Sequence, residues 1–298
     1  MKIQEGYMPF GPYRTYYRIA GERVPGKAPL LLLHGGPGST HNYFEVLDPL
    51  VEAGHQLIMY DQIGCGLSSI PDDDSLWTAE TWLNELEAIR EHLGLDEVHI
   101  LGQSWGGMLA IEYMCDCDPK GVVSLILAST LHSNSQWEKE GRRNISYLPL
   151  EMQQAIAKAE ETGDYSDPAY QAAESAYMVR HCNIGIPEED RPECVRRPAT
   201  KGRRSYVVAW GPNEFTPAGT LKNHEYLDKL PNISCPTLVT SGLMDICTPL
   251  VAKTMADTIP GARWELFEHS RHCAFVEENE KYLKILGKWL DDTDQARA

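Results

Sequence analysis

Short apolar runs that break off at glycine, serine or aspartate constrain this 298-residue chain more than any other feature. Ala28–Leu33 runs into His34-Gly-Gly-Pro-Gly38, and Gln56–Tyr60 runs into Asp61-Gln-Ile-Gly-Cys-Gly66. Val98–Leu101 leads to Gly102-Gln-Ser104, and Val122–Ala128 ends near Ser129-Thr130. Between them, Thr78–Leu93 carries apolar residues at 82, 83, 86, 89 and 93, the spacing of one helix face. A strand covered on both sides needs no polar alternation, so these runs read as buried parallel strands joined by crossover helices. In such a sheet the reactive groups collect at the carboxyl ends of the strands, where the glycine-rich and polar segments stand here. From 131 to 230 the texture turns polar, with helical segments at Leu150–Thr162 and Asp167–Arg180 and prolines at 187, 192 and 198. Strand signals return at Pro236–Thr240 and Arg263–Phe267, followed by a helical pattern from Glu277 to Leu290. The expected architecture is an α/β core of residues 1–130 and 231–298. Its mostly parallel sheet is flanked by helices, and residues 131–230 are inserted as a mostly helical cap.

Charge narrows the function classes. Asp and Glu number 43 against 27 Lys and Arg, a net charge of −16, which phosphate backbones and anionic lipid would repel. Nucleic acid and membrane are therefore not expected as partners. No apolar run approaches the ~20 residues of a membrane span, and Met1–Gly6 has no apolar signal core behind it. The eight cysteines are diluted along the chain, and Cys115-x-Cys117 has no partner pair of zinc-ligand spacing. They read as small, mostly buried thiols in a reducing compartment, the cytoplasm.

Gly102-Gln-Ser-Trp-Gly106 matches G-x-S-x-G, with a strand before it and the helix-compatible Gly107–Ile111 after it. As a string the motif is short and weak; its strand–turn–helix setting gives it weight, because a serine on such a turn is presented at the sheet's edge. A serine hydroxyl needs a base to become nucleophilic, and in this arrangement the order is Ser, then Asp or Glu, then His. Asp245 follows the strand at 236–240. His269 and His272 both follow the strand at 263–267, and His272, just ahead of a helix, is the expected base. His269-x-x-His272 has no third ligand of suitable spacing, so no metal is expected. Acyl transfer also needs N–H groups aimed where the carbonyl oxygen turns negative. The His34–Gly38 turn offers Gly36, and the residue after the serine offers Trp105. His34 precedes the serine and lies in the turn, where it reads as a scaffold hydrogen-bonder.

With these residues in place the sequence resembles the proline iminopeptidase family of α/β-hydrolases, serine exopeptidases that remove an N-terminal residue, often proline. The likeness rests on His34-Gly-Gly-Pro-Gly38, Tyr60-Asp-Gln-Ile-Gly-Cys-Gly-Leu-Ser68, Gly102-Gln-Ser-Trp-Gly-Gly107, Asp245 and His272, and covers nearly the whole chain. It implies the α/β-hydrolase fold, an acyl-enzyme mechanism without cofactor, and a small substrate bearing a free amine. Trp210-Gly-Pro-Asn-Glu-Phe215 is similar to the family segment whose glutamate binds the substrate's ammonium, which implies that role for Glu214. Related aminopeptidases often carry a second glutamate directly after the catalytic aspartate. This chain has Ile246 there, so altered amine recognition is expected, with amino-acid amides or esters within the substrate range. The competing functions are an esterase, lactonase or carbon–carbon bond hydrolase on the same core, and a non-catalytic ligand receptor of that fold.

Overall fold

The computed structural model describes residues 1–297. Eight strands form one sheet: β1 (Ile3–Phe10), β2 (Tyr13–Ala20), β3 (Leu30–Leu33), β4 (Leu57–Tyr60), β5 (Val98–Gln103), β6 (Val122–Ala128), β7 (Thr237–Gly242) and β8 (Arg263–Phe267). Their spatial order is β1-β2-β4-β3-β5-β6-β7-β8. The β1–β2 and β2–β4 pairs are antiparallel, and all others are parallel. β3, β4 and β5 are buried along their whole length, which is why they read as unbroken apolar runs.

Helices α1 (Ala79–His92) and α2 (Trp105–Asp116) follow β4 and β5. Thr78 caps α1 by accepting from Thr81 N–H, and its buried face of Trp82, Leu86 and Ile89 matches the sequence spacing. Between β6 and β7 lie α3 (Asn134–Ile145), α4 (Leu150–Thr162), α5 (Pro168–His181), the short α6 (Glu193–Arg196) and α7 (Arg203–Ala209). The two ends of this segment are clasped together. Ser133 and Glu225 form an isolated bridge, and the Glu225 carboxylate accepts from Ser135 N–H at 2.7 Å and Ser133 Oγ at 2.5 Å. After β7 come α8 (Pro249–Thr258), the single turn α9 (Ala274–Glu277) and α10 (Asn279–Gln295). The two apolar clusters sit on opposite faces of the sheet, Leu31, Leu33 and Ile100 in one and Leu30, Leu32 and Leu101 in the other. Among the described residues no helix is long and apolar enough to cross a membrane.

Candidate active site

Ser104 sits where β5 turns into α2, with φ 54° and ψ −122°. A non-glycine residue held in this region stores roughly 1–3 kcal/mol of strain and persists only where its surroundings dictate it. Here they do. Ser104 N–H donates to the Ala128 carbonyl at 3.0 Å, and the Ser104 carbonyl accepts from Thr130 Oγ1 at 2.6 Å and Gly107 N–H at 2.9 Å. The flanking glycines permit the turn, since a Cβ on Gly106 would lie 2.0 Å from the Leu33 carbonyl oxygen. Ser104 is left half-buried at the carboxyl edge of the sheet, over the N-terminus of α2, whose dipole favours negative charge.

The loop after β3 faces it. Gly35 packs so closely on Ser104 that an added Cβ would stand 3.1 Å from the serine's own. Gly36, at φ 118°, and Trp105, the first residue of α2, both have N–H groups with no acceptor among the described residues, so both are able to donate to an anionic oxygen. The loop is fixed by its neighbours. His34 is fully buried and donates from Nδ1 to the Gly35 carbonyl at 2.9 Å, while its Nε2 accepts from Gln62 N–H at 3.0 Å. Burial pushes the His34 imidazole down to about 4, so it stays neutral with both nitrogens occupied.

Gln62 was not singled out by sequence reasoning, yet it joins both halves of the site. Its Nε2 donates to the His34 carbonyl at 3.0 Å, and its Oε1 accepts from Trp105 Nε1 at 2.8 Å. Tyr43 and Gln103 form a second link. The Tyr43 hydroxyl accepts from Gly35 N–H at 2.6 Å and donates to Gln103 Oε1 at 2.9 Å, and Gln103 Nε2 reaches the His272 carbonyl at 3.4 Å. The only sequence signal was position: Gln62 lies within the Tyr60–Ser68 motif and Gln103 beside the serine.

Asp245 and His272 meet across the ends of β7 and β8. His272 Nδ1 donates to Asp245 Oδ1 at 2.8 Å, and the same oxygen accepts from Cys247 N–H at 2.9 Å. Burial alone would lower the His272 imidazole; the adjacent Asp245 carboxylate outweighs it and holds the ring above its ordinary 6.5. His269 is exposed, and its backbone N–H is engaged with Glu278 at 3.0 Å. Asp245, Cys247 and His272 offer donor atoms within 4.8 Å of one another, spacing compatible with a metal ion. Those donors are already committed, the Cys247 thiol to the Ser129 carbonyl at 3.0 Å and the other two to each other.

Glu214 lies in the segment between β6 and β7, half-buried and near enough for its charge to act on His272. Burial raises its carboxyl, opposed by the neighbouring Tyr206 hydroxyl and by His272. Its backbone is held by Trp137 Nε1, which donates to the Glu214 carbonyl at 3.1 Å. Ile246 is buried beside Asp245 and supplies no charge.

An eight-stranded, mostly parallel sheet with a strained serine, a buried Asp–His pair and two free N–H groups at its carboxyl edge defines a hydrolase of the α/β class. Accordingly, residues 28–279 match the family model of the alpha/beta hydrolase fold. The chain is 60% identical over 294 residues to a proline iminopeptidase of Clostridium botulinum, covering 99% of this chain and all of that one. It is 57% identical, with the same coverage, to a proline iminopeptidase of Clostridioides difficile. The crystal structure of the Mycobacterium smegmatis proline iminopeptidase superposes with a TM-score of 0.86 at 31% identity, covering 99% of this chain and all of that one. The chain belongs to the proline iminopeptidase family.

Proposed function

We propose that this protein is a serine exopeptidase that hydrolyses the amide bond after an N-terminal residue, proline above all, through an acyl-enzyme. In this reading Ser104 Oγ attacks the scissile carbonyl as His272 Nε2 takes its proton, and Asp245 holds the ring in the tautomer that leaves Nε2 free. The negative oxygen is met by Gly36 and Trp105 N–H, both already in place, so no reorganisation falls within the transition state. His272 then hands its proton to the departing amine, and water attacks the ester on Ser104 by the same route in reverse. Residues 131–230 act as a cap that brings Glu214 over the nucleophile, where its carboxylate receives the substrate's ammonium. A desolvated ammonium needs such a partner, or its lost hydration defeats binding. The substrate is a small peptide, or an amide or ester of an amino acid. The free state of all eight cysteines fits the cytoplasm as the compartment.

The observation that carries this reading is the 2.8 Å Asp245–His272 hydrogen bond beside a strained Ser104, with the Glu214 charge reaching the same imidazole. Two measurements test it. Ser104→Ala should abolish cleavage of L-prolyl p-nitroanilide while leaving the melting temperature within a few degrees. N-acetylation of that substrate should reduce kcat/KM by at least about 100-fold through loss of the charged contact. Equal turnover of the blocked and free forms would assign the site to an esterase instead.

A further inference from the structure

The mechanism makes no use of Glu85, a carboxyl on the buried face of α1. That face is Trp82, Glu85, Leu86 and Ile89, and Glu85 is 0% exposed. A leucine at 85 would fill such a place without electrostatic cost, whereas a carboxyl taken out of water must be paired or give up its charge. Among the described residues no cation pairs with it. Burial pushes the carboxyl up to about 8, opposed by the Thr15 hydroxyl and Ile63 N–H and assisted by the like charge of Asp61, so at neutral pH it is mostly uncharged.

The carboxyl holds the backbone of one residue. Ile63 N–H donates to both of its oxygens, at 2.9 and 3.0 Å, and the buried Thr15 of β2 donates its hydroxyl to Oε1. Trp82, three residues earlier on α1, donates from Nε1 to the Ile63 carbonyl at 3.4 Å. Both backbone polar groups of Ile63 are therefore held from α1. Its neighbour Gln62 is the residue that ties Trp105 to the His34 turn, through two 3.0 Å hydrogen bonds to His34 and one of 2.8 Å from the Trp105 indole. The Trp82 ring also packs edge-on against that of Trp105, with centroids 5.0 Å apart. The Gly36 and Trp105 N–H groups belong to separate segments, one after β3 and one opening α2, so their spacing is set by what bridges them.

We infer that Glu85 is a positioning residue for the proposed reaction: acting through the Ile63 backbone and the Gln62 side chain, it fixes the spacing of the Gly36 and Trp105 N–H groups that receive the oxyanion. The inference rests on the reading of those two donors given above. Such donors act over a narrow range of distance from the developing charge, so a small shift of one segment against the other lowers kcat and leaves ground-state binding almost unchanged. The Tyr43–Gln103 link holds Gly35 independently, which makes the effect partial.

The test is kinetic, on L-prolyl p-nitroanilide. Glu85→Leu leaves Ile63 N–H without its acceptor and should lower kcat about 3- to 10-fold, with KM within about twofold of wild type. Glu85→Gln, shaped like the uncharged acid, should recover most of the loss, because its amide oxygen still accepts from Ile63. Cyclopentanecarbonyl p-nitroanilide, which keeps the ring and lacks the amine, should lose kcat/KM in parallel. Residues acting along one line of contacts are not additive, so Glu85→Leu combined with Gln62→Ala should have a kcat within about twofold of Gln62→Ala alone. Circular dichroism melting confirms that each variant is folded, and Glu85→Met takes the place of Glu85→Leu if leucine prevents folding. If the apolar substitution keeps the wild-type kcat, or if the two losses multiply, Glu85 serves stability or acts by another route and the inference is overturned, while the exopeptidase reading stands on Ser104→Ala and on N-acetylation. If Ser104→Ala still turns over, that reading fails and the inference fails with it.

Discussion

The loops at the sheet's edge and the helices above them solve opposite problems. Around Ser104 the polar groups of the supporting residues are paired: both His34 nitrogens are engaged, both ends of the Gln62 amide are used, and Asp245 Oδ1 accepts two hydrogen bonds. Among the described residues the Gly36 and Trp105 N–H groups have no acceptor. Around Glu214 the pairing is looser, with the buried Trp210 Nε1 lacking a partner among the described residues and the Glu214 carboxylate in no ion pair there. A saturated network is rigid, and rigidity suits a reaction whose charge develops at one fixed point. On the proposed reading, the sheet edge serves chemistry common to all substrates, and the helical segment of residues 131–230 the choice among them.

The contrast can be broken by experiment. Asp245→Asn should cost the most, roughly 10³- to 10⁴-fold in kcat on every substrate, because the amide favours the wrong imidazole tautomer. A loss confined to amine-bearing substrates would contradict the division of labour. Gln62→Ala should come next. It strands Trp105 Nε1 and the His34 carbonyl in the interior, at about 1–3 kcal/mol each, and should lower kcat about 10-fold on esters and anilides alike. A change in KM for free-amine substrates alone would show that Gln62 belongs to recognition.

The smallest effect is on pH. In the proposed mechanism His272 must be neutral to act as base, and its raised value keeps it protonated to higher pH than free imidazole. The acid limb of kcat/KM should therefore lie above 6.5. The raised Glu214 carboxyl adds a second loss on the same side, since it gains a proton as pH falls and no longer pairs with an ammonium. Prolyl p-nitroanilide should thus show a steeper acid limb than the amine-free cyclopentanecarbonyl analogue. Superimposable profiles would remove Glu214 from recognition and sharpen the case against the cap.

Legibility in the sequence divided along similar lines. The inner parallel strands were visible because burial on both faces writes an apolar run, and the partly buried edge strand β8 also matches its expected Arg263–Phe267. The β1–β2 hairpin was not visible: β1 is an edge strand, largely exposed, and Ile3–Phe10 includes glycine, proline and charge. Helix α3 was also missed. Its solvent face is crowded with charge, and only Trp137, Gly141, Asn144, Ile145 and a few polar residues turn inward. Two histidines three residues apart could not be separated by spacing. Burial separates them, leaving His269 in solvent and His272 on Asp245.

The sequence by itself determined the order of layers, the serine on its turn and the type of chemistry, because each is written in a few neighbouring residues whose backbone geometry is local. Only the tertiary structure decided which distant side chains complete the site. Tyr43 and Gln103 stand sixty positions apart, and Gln62 and Trp105 forty-three, so no periodicity links them. Hydrogen bonds and charges act over ångströms in space, and chain separation carries no record of that distance until the helices have packed.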